Sequence, residues 1–211
     1  MPVTKSASAT TTKVKKESTR DVLIRTAVAL IDEVGEPHLR LEVVLERSGA
    51  SVSSLYHYFG NLDGLLRAAN IARFNRYAFA DIEYLRRRTE ETKSKDDFRM
   101  LANQVLDTLY NEDRRLHRLH RLDTVHHASG SAEFSSEIGA LHKSAIEQFA
   151  EALDVAKAKG FINKEVDTNG FAAWFLGNSF ARGLLDIADD SDVSASWLAT
   201  HRAACFHLLG L

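Results

Sequence analysis

Six side chains able to donate and accept hydrogen bonds, Ser51, Ser53, Ser54, Tyr56, His57 and Tyr58, fall within one short stretch. Hydroxyls and an imidazole gathered in this way can bond phosphate oxygens or the edges of nucleic-acid bases. A second group, His117, His120, His126, His127 and His142, brings imidazoles together, and His117 and His120 share a helix face at i, i+3. A neutral imidazole there could help bind a metal, or these could be ordinary pocket and surface histidines. No Cys lies near them and no HExxH occurs, so no metal site and no cofactor is assigned. The sequence has no GxSxG and no phosphate-cradling glycine loop, and its carboxylates are spread along polar faces. No catalytic residue is expected; binding, not catalysis, is.

The elements that must hold these groups are helices. Only Pro2 and Pro37 occur, so residues 38–211 lack the strongest helix breaker, and 45% hydrophobic residues are enough for a core. The expectation is an all-α protein of about nine helices. Ser18 and Thr19 are N-cap candidates for a first helix carrying Leu23, Ala27, Leu30, Ile31 and Val34 at helical spacing up to Gly35. Two short helices follow around Val44–Leu45 and Val52–Phe59, and Leu62 opens a long helix expected to reach about Arg88. Later stripes run through Phe98 to Leu109, Leu116 to Leu122, Phe134 to Leu153, Thr168 to Ala188 and Ser194 to Leu209. Residues 1–17, without apolar periodicity, form an arm ahead of the helices. Residues 1–20 carry five Lys/Arg against one Glu. A basic arm on an acidic body fits a polyanion partner or a solubilising tail. With a single Cys, no apolar leader and no run of roughly 20 apolar residues, a cytoplasmic protein without a membrane partner is expected.

Within 41–66, Val44, Leu45, Leu55 and Phe59 can lock two helices at a fixed angle, Gly49 permits the tight turn, and Val52, Ser53 and Ser54 start the second helix. Such a start can enter a DNA major groove without steric conflict. Here the sequence resembles the tetracycline-repressor (TetR) family of bacterial regulators, in which a first helix ends near a Gly and the reading helix runs into Leu-Tyr-x-Tyr/His-Phe. Gly35, Val44, Gly49, Ser51, Leu55, Tyr56, Tyr58, Phe59, Asn61 and Leu65 carry the resemblance, over about Thr19 to Leu66, and it implies a small helix-turn-helix domain, 18–66, after the arm, 1–17, and a larger helical domain, 67–211. It implies that Ser51, Ser53, Ser54, Tyr56, His57 and Tyr58 face DNA, with Val52 against a thymine methyl. Val52 and Leu62 stand where the family commonly has basic residues, and Arg40 where it has a capping Thr. Phosphate contacts are then expected from Arg20, Arg40 and the arm residues Lys13, Lys15 and Lys16.

For the larger domain the resemblance implies a homodimer built on the last two helices. Gly170, Ala173, Gly177 and Ala181, with Trp197, Leu198, Cys205 and Leu208, are the candidate interface, an intramolecular core being the alternative. It also implies a cavity for an unidentified small-molecule effector, with Phe98, Leu101, Val105, Leu119, Phe149, Trp174 and Asn178 as candidate lining. The function expected is a ligand-released repressor that binds a pseudo-palindromic double-stranded DNA operator. The alternatives are a dimeric ligand-binding or protein-interaction module with weakened DNA binding, and a helical metalloprotein.

Overall fold

The computed structural model describes residues 17–211, which form ten α-helices and two short 3-10 turns, with no strand among them. The arm residues Lys13, Lys15 and Lys16 lie outside the described residues. The chain divides into two compact units between Leu66 and Arg67.

The first unit contains α1 (Thr19–Val34), α2 (Leu41–Ser48), α3 (Val52–Phe59) and the start of α4 (Leu62–Asn75). The starts of α1, α3 and α4 each follow from a side chain that satisfies an otherwise unpaired helix amide. Ser18 Oγ accepts from the Asp21 amide at 3.1 Å, Ser51 Oγ from Ser54 at 3.1 Å, and Asn61 Oδ1 from Gly64 at 2.8 Å. Leu23, Ala27, Val44, Leu55 and Leu65 are wholly buried, one contact surface from each helix in turn. Burying a Leu such as Leu55 contributes roughly 1.5–3 kcal/mol. Gly49, at φ 66°, supplies the left-handed turn between α2 and α3 that a side chain would resist.

The second unit comprises the rest of α4, then α5 (Ala78–Glu91), α6 (Lys95–Tyr110), α7 (Arg115–Ser129), α8 (Ala132–Ala158), α9 (Thr168–Ala188) and α10 (Ser191–Leu209). The 27-residue α8 packs against α5, α7 and α9 and buries Phe149 and Leu153 in the main core beside Phe98, Phe171 and Phe175. A smaller cluster joins Phe74 to Ala128, Phe134 and Ile138. No helix among the described residues is long and apolar enough to cross a membrane.

Two elements differ from expectation. The helix expected from Leu62 to about Arg88 is interrupted at Arg76–Tyr77. No Gly or Pro marks the break. Instead Tyr77 is claimed by tertiary contacts, its ring 3.9 Å from the Arg114 guanidinium and edge-on to His117 at 4.7 Å. In α7 the expected leucine stripe is not the buried face: Leu116 is 65% exposed, while Arg118, Arg121 and Thr124 are buried. The arginines win the interior because they find partners there. Arg118 donates to both oxygens of Asp186, at 2.6 and 3.1 Å, and to the Leu109 and Asn111 carbonyls. Arg182 joins the same carboxylate at 3.1 Å.

Candidate nucleic-acid interface and internal cavity

Helix α3 presents two faces. Leu55 is buried and Phe59 half-buried, whereas Val52, Ser53, Tyr56, His57 and Tyr58 are exposed. Val52 and Tyr56, one turn apart, leave 51% and 53% of their surfaces to solvent. The start of the helix is fixed by Ser51, whose Oγ also lies 2.9 Å from both the Ser53 and Ser54 hydroxyls. Ser51 and Ser54 are thus engaged in the cap. His57 and Tyr58 meet edge to face at 4.9 Å. Arg20 sits with its guanidinium 5.7 Å from the Phe59 ring, which places one of the expected cations beside the end of α3. Arg40, at the start of α2, makes no capping bond and is exposed. Arg25 and Arg47 are held by Glu17 and Glu33. Residues 17–66 carry four arginines against eight Asp/Glu. The exposed face of α3 can therefore offer hydrogen bonds and apolar contact, but its own unit is acidic apart from the arm.

The second unit encloses a space of about 70 Å³. Of the expected lining residues Val105 and Phe149 do border it, and Phe98 borders an adjoining space of about 40 Å³. Leu101, Leu119, Trp174 and Asn178 border neither. Trp174 stacks on His201 at 5.2 Å and is 38% exposed, and the Asn178 side chain turns back to the Trp174 carbonyl at 2.8 Å. The polar residues at the cavity, Tyr77, Asp81, Tyr110, Arg114, His117, Arg118, Arg121 and Ser179, are not among those expected. Arg114 is paired with both oxygens of Asp81, at 2.9 and 3.0 Å. Arg121 covers the adjoining Phe74 and Phe180 rings from one side, 4.8 and 4.6 Å from their centres, and donates to the Ser179 hydroxyl at 3.0 Å. Burial pulls Arg121 down to about 10. Burial first, then the Arg121, Arg114 and Arg76 charges, pulls His117 down to about 3, so it is neutral at ordinary pH.

The interface candidates separate by position. Gly170, Ala173 and Gly177 are exposed and Ala181 is half-buried on α9, next to Leu184 and Ile187, which are 62% and 65% exposed. Leu208 is also exposed. Cys205 is not on an outward face: it is 2% exposed, its Sγ is 3.6 Å from His201 Nε2, and burial pushes its thiol up to about 12. Trp197 lies flat on His201 at 4.8 Å and edge-on to Tyr110 at 5.2 Å, and it and Leu198 pack against the unit's own core. The aromatic cluster around His201 claims both ends of this part of α10. Among the described residues no three His, Cys, Asp or Glu side chains gather as a metal site would need.

No family model matches the sequence, and no curated protein does. Solved structures do match. A TetR transcription regulator from Haloarcula marismortui superposes with a TM-score of 0.63 at 15% identity, over 91% of this chain and 96% of that one. Salmonella enterica GusR gives 0.59 at 18% identity, over 92% and 96%. The fatty acid degradation regulator FadR from Bacillus halodurans gives 0.58 at 18% identity, over 93% and 96%. With an exposed α3 on a three-helix unit and an all-helical second unit around a cavity, the chain has the fold of the solved TetR-type regulators.

Proposed function

We propose that the protein is a DNA-binding transcriptional regulator, a homodimer that represses from a pseudo-palindromic operator and is released by a small molecule. The observation that carries the reading is the exposed face of α3. Val52, Tyr56, His57 and Tyr58 are large side chains left in solvent on a helix whose other face is locked into a core. Side chains gathered in this way on one helix face are available to a partner, and a helix presented with small residues first fits a major groove. The proteins of like fold are named as regulators, which agrees. Two copies would place their α3 helices one DNA turn apart, about 34–36 Å. The exposed Gly177, Leu184 and Ile187 on α9 provide an apolar face on which a second copy could pack.

Effector response would run through α4. Phe74 near its end touches Arg121 at the cavity, and Leu65 near its start is part of the first unit's core, so both lie on one helix. A ligand that bound one setting of that helix better than another would shift DNA affinity by at most the ratio of its two affinities. The second reading, a dimeric module with weakened DNA binding, is favoured by the acidic balance of residues 17–66. A fluorescence titration of the full chain against its own upstream DNA and against random DNA of equal length separates the two. A regulator binds the upstream fragment about 10³-fold or more tighter at physiological salt; equal affinities would support the weakened module.

A further inference from the structure

We infer that the cavity of the second unit takes a carboxylate carried on an apolar body, with the carboxylate seated on the Arg121 guanidinium. This rests on reading that cavity as an effector site. The charges around it do not balance. Asp81 is occupied by Arg114, and Asp186 is shared between Arg118 and Arg182. Four guanidinium groups thus meet two carboxylates, and Arg121 is the one left without an anion.

Arg121 is 9% exposed; among the described residues its side chain donates to the neutral Ser179 hydroxyl and to no carboxylate, and its Nε has no hydrogen-bond partner. Removing a charge from water without an opposite charge is costly, and a buried N–H left unpaired adds to that cost. The rings of Phe74 and Phe180 recover part of it through cation–π attraction, but they cannot accept the free N–H in its own plane. A guanidinium matches a carboxylate edge to edge, with two parallel hydrogen bonds. Burial, and only then the Arg121, Arg114 and Arg76 charges, keeps His117 neutral, so it leaves the count of charges unchanged. A single unmatched cation in a space of about 70 Å³ fits a small monoanion, and Ile82, Leu85 and Leu109 border the same space with apolar surface for an alkyl body.

The test uses the full chain without DNA and three probes of equal length and of the about five or six heavy atoms such a space holds: butyrate, 1-butanol and butylamine. Calorimetric titration is expected to show butyrate binding about tenfold or more tighter than butanol, the worth of charge-assisted hydrogen bonds, with butylamine weakest. Arg121→Gln should erase the preference for butyrate while butanol binding persists. Should that variant not fold, carboxyl-¹³C butyrate on the native chain gives a second readout. Its bound carboxyl should stay ionised through the pH range where free butyrate protonates. Butanol or butylamine binding as tightly as butyrate, no butyrate binding, or a bound carboxyl that titrates like the free acid would each overturn the assignment. Because no DNA is present, these outcomes stand apart from any failure to bind an operator.

Discussion

Tyr56 contributes little to the fold: it is 53% exposed and lies on the face of α3 turned away from Leu55. Tyr56→Ala should therefore weaken specific DNA binding by about 1–3 kcal/mol while leaving the melting temperature unchanged, as titration and thermal unfolding of the same sample would show. His201 is the opposite case. Buried against Trp174 and Trp197, it is pulled down to about 4 by burial, whereas in the unfolded chain it titrates near 6.5. Between these values the unfolded state holds the extra proton, so stability is full above about pH 6.5 and falls as pH drops towards 4. His117 acts in the same direction. The melting temperature should decline over that window, and His201→Gln should flatten the decline; an unaltered slope would remove His201 as a source. The residues of α3 were legible in the sequence because a capped helix with one apolar stripe defines its own exposed side. Arg121 was not. Whether an arginine is buried depends on Phe74, Phe180 and Ser179, which lie on two other helices. Its only trace is the spacing of Arg115, Arg118 and Arg121 at three-residue intervals between leucines, easily taken for a solvated face.

At the level of elements, helix starts and stops were read well because caps are local chemistry: Ser18, Ser51 and Gly49 act where their types say they should. The break at Arg76–Tyr77 was hidden because it depends on Arg114 and His117, remote in sequence. Gly64 is a local constraint that its neighbours in sequence do not reveal. A Cβ there would lie 2.0 Å from the Phe59 carbonyl oxygen, so α3 and α4 can meet only over a glycine. Gly64→Ala should destabilise the first unit by about 1–3 kcal/mol or more and abolish DNA binding with it, visible as a lowered unfolding transition. The arm makes its own prediction. With four arginines against eight carboxylates between 17 and 66, phosphate neutralisation must draw on residues 1–16, which hold four lysines and no acid. Deleting residues 1–16 should weaken binding to specific and random DNA alike. Each lost contact should flatten the slope of log K against log salt by about 0.9, with Lys13, Lys15 and Lys16 on two subunits setting the ceiling. Identical slopes would reduce the arm to a solubilising tail.

For the whole molecule, the all-helical architecture follows from composition, the lack of proline after Pro37 and the cap pattern, whereas a division near Leu66 falls inside α4, where no cap or turn residue marks it. Association between copies does not follow from pattern alone, because an outward small-residue stripe and a buried one share a spacing; Gly177 and Gly183 differ only in what surrounds them. A side chain at Gly183 would meet Leu122 at 2.9 Å, whereas one at Gly177 meets nothing within 4 Å. Gly177→Trp should thus leave each copy folded and stop two copies from pairing, giving a monomer by sedimentation; an intact dimer would move the interface elsewhere. Recognition of DNA by paired α3 helices is tested most directly by nuclease footprinting of the full chain on its own upstream region. The expected result is a protected inverted repeat whose half-sites are centred about one helical turn, 34–36 Å, apart. Absence of protection, or protection of one unrepeated half-site, would contradict it.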